Sequence, residues 1–141
     1  MKRFLSLLII GICIQFEANA QADSLAQTDP IIVQIQALDF SQFAGKPVDT
    51  LLAHLPSGYT DVKIVPSFAL KRAVFLLVSY APGTGVFIAV RNFTHMNPEF
   101  SPTGSPSQNW SVNLFKKETI SFAVAFNGMC INGCENASKI N

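Results

Sequence analysis

Apolar positions crowd one stretch of this chain, residues 71–94 (KRAVFLLVSYAPGTGVFIAVRNFT). Seven of the eight residues in 73–80 are apolar, and 86–90 is apolar throughout. Both runs are short and rich in β-branched and aromatic residues, which favours strands. Pro82, Gly83 and Gly85 in the link 81–85 supply turn chemistry. The pattern predicts a central hairpin, about 73–80 and 86–93. The first run is apolar on both faces, as in a strand covered on both sides. A single buried helix is the competing reading, and the Pro-Gly-Thr-Gly break opposes it.

The other elements follow from period. In 31–38 (IIVQIQAL), Val33, Ile35 and Ala37 alternate with glutamines, which predicts a short strand on an otherwise flexible arm, 21–40. Val48, Leu51, Leu52 and Leu55 form one stripe at helical spacing, behind Pro47 and ahead of Pro56 and Gly58. They predict the principal helix, about 47–55. Residues 61–65 predict another strand. Residues 94–109 (THMNPEFSPTGSPSQN) form a long loop, of a kind that is either functional or mobile. With only Met96 and Phe100 as apolar anchors, its composition favours mobility. In 119–126, Ile120, Phe122, Val124 and Phe126 alternate with Thr119, Ser121, Ala123 and Ala125, giving a strand with a bulky face and a small face. One long helix over 111–126 is the rival. The expected class is α+β: a single domain over 41–141, with the short helix packed on an antiparallel sheet of about four strands.

The amino end changes where this domain is expected to work. Lys2 and Arg3 precede an apolar run, 4–14, and Ala18-Asn19-Ala20 resembles a processing site. Residues 1–20 read as a signal peptide cut between Ala20 and Gln21. The run is shorter than the ~20 residues that span a bilayer. Two variants remain beside this reading: a retained anchor, and a lipid anchor through Cys13, whose Ile12 neighbour fits a lipid-attachment motif poorly.

Cleavage leaves 121 residues with eight basic and eight acidic side chains. A neutral chain without a basic stripe lacks the electrostatic footprint of a nucleic-acid binder. Cleavage also leaves two cysteines, Cys130 and Cys134, and an even pair in an exported chain predicts a disulfide.

Three segments then look familiar together: Gly45-Lys46-Pro47-Val48-Asp49-Thr50-Leu51-Leu52, Trp110 with Lys116-Lys117-Glu118-Thr119-Ile120, and Cys130 with Gly133-Cys134. In this order behind a signal peptide, they resemble a group of short exported bacterial proteins of unknown function. The resemblance spans about 43–135. It implies bacterial export, to periplasm or medium, and a shared small fold. It brings no activity, cofactor or catalytic residue with it.

Candidate chemistry is sparse. The histidines are His54, on the polar side of the expected helix, and His95, at the start of the loop. No nucleophile elbow, phosphate loop or carboxylate dyad is present, and the Cys/His spacing is neither that of a zinc finger nor that of a redox motif. No cofactor or metal is therefore expected. Met96, Phe100 and Trp110 are the candidate partner-binding residues, since aromatics beside a loop suit recognition. The first functional reading is a non-catalytic exported domain that binds a protein or envelope component. A small hydrolase using His95 with a Ser or Asp brought near by folding is the second, and a purely structural envelope protein the third.

Overall fold

The computed structural model describes residues 29–132, with only the backbone for 129–132. By its contacts the chain divides into Met1–Pro30 and Ile31–Asn141, and the fold below is essentially that of the second unit. The signal segment with Ala20 and Gln21, most of the arm, and Cys134 lie outside the described residues.

The class is α+β, as the pattern predicted. Strands β1 (Asp61–Ser67), β2 (Arg72–Ala81), β3 (Thr84–Ala89), β4 (Phe122–Asn127) and the short β5 (Met129–Asn132) form one sheet in sequence order. Every neighbouring pair is antiparallel. The central hairpin is present, but its tip is tighter than expected. Ala81 already pairs with Thr84, leaving Pro82 and Gly83 as the turn, with Gly83 at φ 78°. Thr84 and Gly85 join the sheet because β4 offers them partners, Asn127 and Phe126. The second arm also ends early, at Ala89 rather than 93. Its last carbonyl accepts from the Ser121 N–H, and the Ser121 hydroxyl takes the Arg91 N–H, which turns the chain out of the sheet.

Residues 31–38 are not a strand. Pro30–Gln36 forms a helix, α1. Pro30 suits a first helical position, and Ile31, Ile35 and Leu38 recur at i, i+4 and i+7. All three join the core, Ile35 fully buried. The alternation of glutamines is equally compatible with that helical stripe, and tertiary burial decided between the two periods. A 3₁₀ turn, Phe40–Phe43, adds two more buried rings.

The principal helix, α2, is Val48–Leu52, shorter than the expected 47–55. Turn hydrogen bonds carry the chain on to Leu55, so the predicted stripe of Val48, Leu51, Leu52 and Leu55 is buried as a unit. Helix starts leave N–H groups without intrahelical partners. Here the N–H of Val48 donates to the Glu118 carbonyl and that of Asp49 to the Lys116 carbonyl, each at 2.9 Å.

The rival long helix over 111–126 does not form. Val112–Phe115 is a single helical turn, α3, capped by the Ser111 hydroxyl accepting from the Asn113 N–H. Strand β4 starts at Phe122, three residues later than the alternation suggested. Ile120 consequently leaves the bulky face and sits in the helix-side core, where it exchanges backbone hydrogen bonds with the 45–46 segment.

The sheet has two unlike faces. Leu76, Val78, Val86, Ile88, Ala123 and Ala125 face the helices in the main core. The small side chains of β4 lie on this helix side. The other face carries Phe75, Leu77, Phe87, Ala89, Phe122, Val124 and Phe126 in the register set by strand pairing. Its buried cluster, Ala89, Phe122 and Val124 with Phe75 against it, consists of strand residues. The rings touch in series: Phe75 is 5.2 Å from Phe87 and 6.3 Å from Phe122, and Phe87 stacks on Phe126 at 4.8 Å. Gly85 is needed beneath this stack. A Cβ there would meet the Phe126 ring at 3.1 Å and collide with the Val78 carbonyl oxygen.

Strand β1 ends the sheet. Its register shifts between Val65 and Pro66, a bulge at the one residue that has no N–H to offer.

Candidate functional site: a pinned loop, an aromatic patch and a groove

Glu118 is the organising side chain of the loop, and its local sequence does not announce it. Its run, Lys116-Lys117-Glu118-Thr119, looks like a solvated polar segment, yet Glu118 is fully buried. Buried carboxylates are stable only when their oxygens find donors. Oε1 accepts the N–H of His95 at 2.6 Å and of Met96 at 2.8 Å. Oε2 accepts the Thr94 N–H at 2.8 Å and the Thr94 hydroxyl at 3.1 Å. Burial alone would raise the Glu118 pKa, but these hydrogen bonds outweigh it and hold the carboxyl below its ordinary 4.5. The start of the 94–109 loop is therefore fastened to the core by one buried anion.

The loop has further fastenings. The Pro98 carbonyl accepts the Ala73 N–H, and the Lys71 carbonyl accepts the Phe100 N–H. The Trp110 indole N–H donates to the Asn97 carbonyl at 2.7 Å. The mobility suggested by composition gives way to a segment tied to β2, the 110s and Glu118. Backbone groups and one distant carboxylate supply the ties, and composition records neither.

His95 stands beside Glu118. Its Nδ1 lies 2.9 Å from the Thr94 hydroxyl and 3.4 Å from Oε2, and its side chain is about half exposed. The carboxylate that could orient this ring is already committed to three backbone N–H groups, which suits anchoring better than proton relay. Neither described cavity includes His95. His54 is exposed, as expected on the polar side of α2. Its Nδ1 meets the Thr50 carbonyl at 2.7 Å and its ring meets Phe43 edge-on. Among the described residues no group of three or more His, Cys, Asp or Glu could hold a metal ion. No described helix is long and apolar enough to cross a membrane.

The three candidate partner residues divide. Met96 is 4% exposed and belongs to the core, drawn in because its N–H is bound to Glu118. Phe100 and Trp110 do come together, with ring centroids 5.4 Å apart. A third ring joins them, Phe68, 5.7 Å from Phe100 and 76% exposed. Phe68 lies between β1 and β2, and Leu70 in the same turn is also exposed. The sequence signal was available: Ser67-Phe68-Ala69-Leu70-Lys71 places two large apolar side chains where polar residues are the default.

Next to this patch lies an open groove of about 560 Å³, at the end of the phenylalanine face. Phe75, Ala89 and Phe122 form its apolar floor, while Arg72, Arg91 and Glu99 bring charge to it. Arg72 Nε is 3.9 Å from Glu99 Oε1, and its guanidinium lies over the Phe93 ring at 5.9 Å. The volume is that of a small-ligand site.

No family model matches the chain, and no curated protein and no solved structure matches it either.

Proposed function

We propose that this chain is a small exported, non-catalytic binding domain of the bacterial envelope, and that it meets its partner through the Phe68–Phe100–Trp110 patch. One observation carries the reading: an exposed ring held in position by two others, on a loop fixed by backbone hydrogen bonds and Glu118. Rigid aromatics lose little conformational freedom on binding and recur as interface anchors, and grouped exposed apolar side chains mark interaction surfaces. Export rests on residues 1–20, membership of the exported group on the three quoted segments, and the Cys130–Cys134 bridge on the compartment those imply. The hydrolase reading is the weaker one, because Glu118 is fully engaged and His95 lines neither described cavity.

The test is site-specific photo-crosslinking in exporting cells, with the reactive side chain at position 68 and, as control, at the exposed Lys63. Discrete adducts from 68 that are absent from 63, and lost in a Phe100→Ser background, are the expected outcome. Equal labelling from both positions would defeat the proposal.

A further inference from the structure

We infer that the groove lined by Arg72 and Arg91 takes an amphiphile with an anionic head, of the class of long-chain carboxylates, its tail lying along the phenylalanine face. This deepens the binding reading and rests on it, but it concerns a different surface from the Phe68 patch.

The argument begins with register. Phe75, Ala89 and Phe122 form one cross-strand row, Leu77, Phe87 and Val124 the next, and Ser79, Gly85 and Phe126 the third. Four residues along a strand separate the first row from the third, about 14 Å. Ring contacts join the rows without a break. Phe75, Leu77, Phe87 and Phe126 remain partly accessible. A strip of this length and chemistry matches an extended alkyl chain and offers nothing to a polar ligand.

Charge then decides which end the head occupies. At the groove the strip meets two guanidinium groups and one carboxylate, a net positive end. The Arg72–Glu99 pair is long, 3.9 Å, and partly exposed, so it is weak, and a ligand carboxylate can compete for the guanidinium. Arginine forks suit carboxylates and phosphates in bidentate geometry. The far row ends differently, at Ser79 and the edge residue Asp61, which would repel an anion there.

The test is calorimetric titration of the exported chain with three probes of equal length: dodecanoate, dodecanol and dodecyltrimethylammonium. Saturable one-to-one binding of dodecanoate, roughly tenfold tighter than dodecanol, is expected, with the cation weakest. Arg91→Gln and Arg72→Gln are surface changes that should each weaken dodecanoate roughly fivefold to tenfold. They should leave dodecanol affinity and the unfolding temperature unmoved. Absence of dodecanoate binding, equal affinity for the alcohol, or indifference to both arginine variants would overturn the inference. So would a concentration-dependent dimer that excludes dodecanoate, since the face would then belong to a second copy. Crosslinks from position 68 that persist in any of these cases leave the binding domain standing and remove only its ligand. Dodecanoate binding without crosslinks does the reverse.

Discussion

Glu118 shows how much one side chain can carry at the residue scale. Its oxygens collect three backbone N–H groups and a hydroxyl in a site closed to water. Glu118→Gln keeps the shape but turns an amide NH2 toward backbone donors. A buried donor without an acceptor costs about 1–3 kcal/mol, and a lost charged hydrogen bond a similar amount, so a loss of roughly 2–3 kcal/mol near neutral pH is expected. The pH dependence has a definite sign. The folded pKa lies below the ordinary 4.5, so the ionised group's contribution is complete above 4.5 and disappears as pH falls through the lower folded value. Urea midpoints of wild type and Glu118→Gln should differ clearly at about pH 7 and draw together at about pH 3. A gap of the same size at both would show that the charge does not supply the stability.

Among the elements, the 94–109 loop is the instructive case. Three prolines and a run of small polar residues give it a disordered composition. Its order comes from outside itself, from Glu118, Lys71 and the Trp110 indole. Trp110→Phe preserves a ring against Phe100 and removes the indole N–H from the Asn97 carbonyl. A loss of about 1 kcal/mol is expected. Hydrogen exchange should become faster at the Phe100 and Ala73 amides but not at Met96, whose N–H is held by the carboxylate. Uniform acceleration across the loop would mean that the indole bond and Glu118 act as one latch.

What could be read in advance divides along the same line. The apolar stripe of α2 and the runs of β2 and β3 were legible, because period reports local geometry directly. The 31–36 helix was misread because its glutamines satisfy two periods at once, and only burial of Ile35 distinguishes them. Ile120 was misplaced because the sheet ends where the 45–46 backbone takes its hydrogen bonds. Phe100 and Trp110 were found by residue type and Phe68 was passed over in its turn. Glu118, Arg72 and Arg91 acquire meaning only when distant segments meet, and no spacing rule encodes that.

At the level of the whole molecule, the sheet runs in strict sequence order, so one hairpin after another can join its predecessor's free side. Such an architecture leaves two lateral strands, and a lateral strand offers its backbone to any other extended chain. Strand β1 occupies one of those positions, with Asp61 and Lys63 exposed and the bulge at Pro66. A proline cannot donate to an incoming strand, and a bulge bends the ladder it would join. The kink is therefore a safeguard against fibre growth. Pro66→Val restores an N–H and extends the β-branched run that begins at Ile64 and Val65. It should leave the monomer folded and shorten the lag of thioflavin-positive assembly several-fold at equal concentration. An unchanged lag would move the safeguard to the neighbouring charges. A protein that must travel unfolded to another compartment and fold there among its own copies has reason to keep the outermost strand of its sheet unable to recruit the next molecule.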